Sequence, residues 1–200
     1  MNASLLIVSC VLLAVMSIPK IVLSQTIDCR KPPQLVDPAR CCQDGGRDQV
    51  TEKCAQRVGI NGQSNGGPPT LEAATCLAQC ILTDSRYLQQ PQSLNLKIIR
   101  EDLTKKYFND TAYVEAMVTA FAKCEPQAQQ KLVALQQLQF GSAASQFSQN
   151  QQQPQCSPFS AMLLGCTYME YFKNCPSHRW TENNDCALAK AFVTQCALGA

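Results

Sequence analysis

The sequence predicts an all-α fold: a compact helical domain stapled by disulfides, with an irregular N-terminal arm and an extra C-terminal helix. Three observations carry this expectation. Apolar residues recur at i, i+3, i+4 and i+7 in several segments, the spacing of one buried helical face. No segment shows the sustained period-two alternation of a half-buried strand. The cysteines become even in number once an N-terminal leader is set aside, and many of them fall inside or beside the helical segments.

The leader is residues 1–24. Leu5 to Ile18 form an apolar run of about 14 residues, short of the roughly 20 that span a bilayer as a helix. Pro19, Lys20 and the Val22-Leu23-Ser24 triplet follow, and the small Ser24 suits a signal peptidase. No later segment reaches transmembrane length, so the expected product is secreted, with no membrane insertion. Cys10 leaves with the leader. Twelve of the thirteen cysteines remain: Cys29, Cys41, Cys42, Cys54, Cys76, Cys80, Cys124, Cys156, Cys166, Cys175, Cys186 and Cys196. In an oxidising space that number reads as six disulfides, each contributing about 2–4 kcal/mol when unstrained. Cross-links on this scale allow a chain to stay folded around a hollow interior.

Residues 25–200 read as a single domain in four parts. Residues 25–69 are an arm punctuated by proline, glycine and the Cys41-Cys42 pair, with a short helix over Asp48–Val58 and a loop from Gly59 to Pro69. Residues 70–124 hold the core helices. Thr70 caps the first, which runs to about Thr83; a second covers Lys97–Tyr107. Asp110 caps a third, in which Val114, Met117, Val118 and Phe121 share a face, and which ends near Cys124. Residues 125–155 hold a glutamine-rich helix over Pro126–Phe140, stopped by Gly141, and a Ser/Gln-rich linker over 142–155. Residues 156–200 hold the C-terminal helices. Ser157-Pro158 starts one, with proline at its first position, and Phe159, Met162, Leu163, Cys166, Met169 and Phe172 form its stripe. The last helix spans Asp185–Ala197 and carries Leu188, Phe192 and Val193.

Composition excludes several functions. Seventeen basic residues less Lys20 stand against fifteen acidic ones, a net charge near +1, with no basic stripe for nucleic acid. No metal or other cofactor is expected, because secreted thiols are normally oxidised and the chain holds one histidine. Nor is an enzyme expected. Cys41-Cys42-Gln43-Asp44 is similar to the double cysteine that precedes the catalytic pair of secreted phospholipases, but no histidine follows to act as base. His178 lies in a Ser-His-Arg-Trp segment with no marked nucleophile nearby. It reads first as a surface or structural residue, with pH sensing at a carrier's mouth as the alternative. The glycines from Gly59 to Gly67 lack the preceding strand and the Lys-Ser/Thr of a phosphate loop. Asn109-Asp110-Thr111 is a glycosylation sequon.

Cys76 and Cys80 stand one turn apart on one helix face, so they should reach different partners. Cys76-x3-Cys80, then 43 residues to Cys124, and Cys166-x8-Cys175 resemble the framework of insect odorant-binding proteins. Cys156-x9-Cys166, Pro176 directly after Cys175, and the further Cys186 and Cys196 resemble the Plus-C subclass. The resemblance spans 29–196; the 31 residues between Cys124 and Cys156 depart from it. It implies an apolar cavity between disulfide-linked helices and a carrier that solubilises odorants or other small hydrophobic semiochemicals in sensillum lymph, with a receptor on sensory neurons downstream. By the same analogy, Cys76 pairs with Cys166, Cys124 with Cys175, and Cys80 most simply with Cys54. Cys29, Cys41, Cys42, Cys156, Cys186 and Cys196 then form three further bridges whose pairing stays open, Cys41 and Cys42 going to separate partners.

A small apolar ligand is therefore the expected partner. The expected walls are Tyr107, Phe108, Met117, Phe121, Phe159, Met162, Met169 and Phe172; each of them also suits a plain packing face. Tyr87, Tyr113 and Tyr168 offer hydroxyls to a polar ligand group, none favoured over the others. The apolar stripe from Phe159 to Phe172 suggests a homodimer that covers it. Two other functions fit the same chain: a cysteine-rich inhibitor or protein-binding module acting through an exposed loop within 59–69, and a carrier of longer-chain lipids.

Overall fold

Capping chemistry sets the helix boundaries. The computed structural model describes residues 27–31, 36–46, 48–60, 70–141 and 156–196; the leader, residues 61–69 of the arm loop and the linker at 142–155 lie outside them, as does Ala197. In chain order the helices are α1 (Pro38–Cys41), α2 (Gln49–Arg57), α3 (Leu71–Asp84), α4 (Leu96–Lys106), α5 (Thr111–Gly141), α6 (Pro158–Lys173) and α7 (Asn184–Gln195). Asp48 accepts from Thr51 N–H at 2.8 Å to start α2, and Thr70 accepts from Ala73 N–H at 3.2 Å to start α3. Asn95 does the same for α4, Asp110 for α5 and Asn183 for α7. Each short polar side chain satisfies an amide that the first helical turn leaves without a partner. The chain is all-α in class, as its periodicity predicts.

Two elements differ from expectation. Leu88–Gln90 (β1) and Ser93–Leu94 (β2) pair antiparallel as a small hairpin, too short for alternation to announce it. The helix capped by Asp110 does not end near Cys124. It runs for 31 residues through Pro126, joining what read as two helices. Proline has no N–H, so the Ala122 carbonyl four residues back loses its helical donor. Burial outweighs this cost. Phe121, Cys124, Ala128 and Leu132 are all buried and lie on one stripe that crosses the proline without a break.

Helix α6 is the centre. It packs chiefly on α5 and α3, while α7 rests on α6, α4 on α5 and α2 on α3. Residues buried on several of its sides (Phe159, Leu163, Cys166, Thr167, Glu170, Tyr171 and Phe172) mark it as an interior helix. Most of the stripe from Phe159 to Phe172 is thus covered by the chain itself, with Met162 and Met169 partly exposed.

Six disulfides hold this arrangement. Cys29 joins Cys196, Cys41 joins Cys186, Cys42 joins Cys175, and Cys54 joins Cys80. The adjacent pair Cys41 and Cys42 goes to separate partners, and Cys54–Cys80 forms as expected. Two expected bridges are corrected: Cys76 pairs with Cys156, not Cys166, and Cys124 pairs with Cys166, not Cys175. The physical reason is the placement of α6. Its start lies against α3, where Ser157 N–H donates to Gln79, so Cys156 meets Cys76. Cys166 lies on the buried face, which brings it to Cys124 on α5. Cys175, beyond the helix end, is left to the arm. Among Cys54, Cys76, Cys80, Cys124, Cys156 and Cys166 the order is first–third, second–fifth and fourth–sixth. The expected topology is kept, one cysteine upstream.

Candidate functional site

The apolar interior between α5 and α6 is the candidate site. Phe121, Phe159 and Phe172 are buried in one cluster with Leu82, Ile99, Val118 and Leu163. The Tyr87 ring stands edge-on to Phe121 at 5.9 Å between centroids, the arrangement aromatic quadrupoles favour. Tyr107, Met117 and Met162 are partly buried and pack on the margin of this cluster. Six of the eight expected wall residues are therefore brought together. Phe108 is not: it lies in the turn after α4 and is 72% exposed, because the helix ends at Lys106. Met169 is half-buried and stands outside the packed margin.

Two polar atoms interrupt the interior. Ser160 Oγ and Thr167 Oγ1 are buried without a hydrogen-bond partner among the described residues. They are seven residues apart on α6, so they lie on one side of it, about 10 Å apart along the axis. A buried hydroxyl with no partner costs roughly 1–3 kcal/mol relative to one that is satisfied. Of the three tyrosine hydroxyls considered for a ligand, two are engaged elsewhere. Tyr87 donates to Asp102 at 2.5 Å, and Tyr113 donates to the Asp44 carbonyl at 2.6 Å. Tyr168 is half-buried.

At one end the N-terminal arm is clamped over the helices. Tyr113 contacts Tyr107 at 4.5 Å and Tyr171 at 5.4 Å between centroids, and the Arg179 guanidinium lies 4.0 Å from the Tyr113 ring centre. Tyr171 donates to the Gln43 carbonyl at 2.6 Å, and Arg179 Nη1 donates to the same carbonyl at 2.9 Å. Gly45, at φ +90°, passes so close to Tyr107 that a side-chain carbon there would collide with the phenol. Asp110 gathers Arg179 Nε at 2.6 Å and His178 Nε2 at 2.8 Å on one carboxylate oxygen. Burial works against its charge, but the bonds from His178, Arg179 and Tyr113 N–H prevail and bring its pKa down to about 2. Burial pushes the Tyr171 phenol up to about 12 and Tyr113 higher still. His178 thus stands as a hydrogen-bond partner of a helix cap. Sequence reading missed this clamp; its visible traces were the cap at Asp110 and the double cysteine at 41–42.

Two clefts formed by described residues carry charged side chains in their walls. One of about 400 Å³ is lined by Glu115, Ala116, Thr119, Ala120, Lys123 and Glu170, among others. Its buried carboxylate, Glu170, receives Lys123 at 2.6 Å and Lys173 at 2.8 Å. Burial opposes that charge, and the two ammonium groups outweigh it and hold the pKa below the ordinary value. A second cleft of about 310 Å³ lies between α1 and the start of α7 and includes Asp37, Arg40 and Asp185. Cys54, Cys80 and Asp84 lie close enough to share a metal ion, but both sulfurs are spent in a disulfide, and Arg57 already pairs with Asp84. No described helix is long and apolar enough to cross a membrane.

Comparison with known proteins decides the family. A family model described as AgamOBP47-like matches residues 47–192. The chain belongs to this family of insect odorant-binding proteins. Odorant-binding protein 47 of Anopheles gambiae is 26% identical over 126 residues, covering 60% of this chain and 51% of that protein. The chain thus spans about half the length of the curated relative it matches. The AgamOBP47-like match takes in α2 to α6 and most of α7, and with them every phenylalanine of the apolar cluster.

Proposed function

We propose that this chain is a secreted carrier that takes a small, mainly apolar odorant or related semiochemical into the interior between α5 and α6. The observation that carries this reading is the family match over the stretch that supplies Phe121, Phe159, Phe172, Met117 and Met162. Two flexible thioethers at the margin suit the entry of ligands of varied shape, since methionine repacks easily. Either of the hydroxyls of Ser160 and Thr167, which have no partner among the described residues, suits a ligand with a single oxygen function, an alcohol or carbonyl. Removing a few hundred Å² of apolar surface from water at roughly 25 cal/mol per Å² supplies several kcal/mol, enough for micromolar affinity after association costs. Removal of residues 1–24, delivery to the lymph around sensory neurons, and a receptor on those neurons belong to this reading, as does membership of the Plus-C subclass.

Displacement of a bound environment-sensitive fluorophore, 1-aminoanthracene, tests it. Short volatile alcohols and esters should displace the probe, alcohols better than alkanes of equal length. Displacement by long-chain fatty acids alone would make the chain a lipid carrier instead. Displacement by neither would remove the carrier reading and leave the inhibitor or protein-binding module.

A further inference from the structure

We propose that Asn109 carries an N-linked glycan whose first sugar rests on the exposed ring of Phe108. Asn109-Asp110-Thr111 is the one Asn-x-Ser/Thr sequence after residue 24, so a secreted form offers a single acceptor. The acceptor stands in a tight turn: Asp110 N–H donates to the Tyr107 carbonyl at 2.9 Å, which puts Phe108 and Asn109 at the two corner positions. Asn109 and Thr111 are both exposed, and the Asn109 amide makes no hydrogen bond to any described residue.

The turn is held from below, so a glycan would disturb nothing it needs. Asp110 faces inward to Arg179, His178 and the first turn of α5, and Tyr107 packs on the cluster. Only Phe108 and Asn109 point away. An exposed aromatic face beside the acceptor offers an apolar platform for the C–H-rich face of a sugar, and covering a 72% exposed phenylalanine takes its surface out of water. In the folded chain the glycan would stand at the α4–α5 turn beside the clamp, on the outside of the helix pair.

This inference rests on the secretion reading, because the transfer occurs in the secretory pathway. The test expresses the full chain in insect cells and recovers protein from the medium and from the cells. Expected is medium protein starting at Gln25 whose mass falls by one N-glycan on treatment with peptide N-glycosidase A, with Asn109 converted to aspartate in the peptide map. Asn109→Gln should be secreted and unshifted. The stacking is read as the loss in Tm on deglycosylation, which should be present in the wild-type chain and absent in Phe108→Ala. Medium protein with the leader removed but no mass shift would overturn the glycan and leave secretion intact. Chain found in the cells alone, with its leader, would overturn both. An equal Tm loss in Phe108→Ala would overturn the Phe108 contact.

Discussion

Asp110 makes three contacts through one carboxylate: it caps α5, fixes Arg179 over the tyrosines and hydrogen-bonds with His178. Asp110→Asn should lower stability by about 2 kcal/mol, the scale of a lost hydrogen bond to a charged group with its partners left in place. Urea denaturation at neutral pH measures it. Glu170→Ala should cost more, about 3 kcal/mol, because it leaves Lys173 beside a buried, uncompensated site. Both carboxylates have folded pKa values below their ordinary ones. The stability they contribute is therefore fully present above the ordinary carboxylate range, and it is lost as pH falls through the folded values. Stability should be level above about pH 5 and decline towards pH 2, and Asp110→Asn should flatten that decline by about 1–2 kcal/mol. At this scale the caps at Thr70 and Asp110 were legible, since a short polar residue before an apolar run states its role. The roles of Arg179 and Tyr171 were not. Both donate to the carbonyl of Gln43, more than a hundred residues away in the chain, and no local pattern encodes such a contact.

Among the elements, α5 shows where local rules yield to packing. Pro126 reads as the start of a separate helix, yet the buried stripe of Phe121, Cys124, Ala128 and Leu132 spans it, and the bridge from Cys124 to Cys166 fixes it to α6. Pro126→Ala should restore a donor to the Ala122 carbonyl and stabilise the protein by about 1 kcal/mol or more. A rise in Tm without change in helix boundaries is the expected reading. The disulfide register was legible in topology but not in assignment. An x8 and an x9 spacing stand side by side around Cys166, and spacing alone does not say which pair faces α3 and α5. Burial does, because the face of α6 that carries Cys166 is turned inward. Peptide mapping without reduction should recover Cys76–Cys156 and Cys124–Cys166 as linked fragments. Replacing Cys124 and Cys166 by serine should cost about 4 kcal/mol, the loop-closure value for a loop of 42 residues.

For the molecule as a whole, the cross-links and the clamp divide the labour. Bridges from Cys29, Cys41 and Cys42 strap the arm to the C-terminal segment, while Cys54–Cys80, Cys76–Cys156 and Cys124–Cys166 hold α2, α3, α5 and α6 together. The helical class and the apolar faces were readable from periodicity. The extent to which Phe121, Phe159 and Phe172 fill one cluster was not, because it depends on how α6 is inserted between α3 and α5. On the proposed carrier function, a ligand would enter by side-chain rearrangement at the margin, where Met117 and Met162 lie. Once residues 1–24 are removed, the methionines left are Met117, Met162 and Met169, and each can be followed by its own methyl resonance in protein labelled with ¹³C-methyl methionine. On titration with octanol, the methyl signals of Met117 and Met162 should shift in a saturable way while that of Met169 stays in place. Saturable shifts confined to Met169, or no saturable shift at any of the three, would contradict an interior site between α5 and α6.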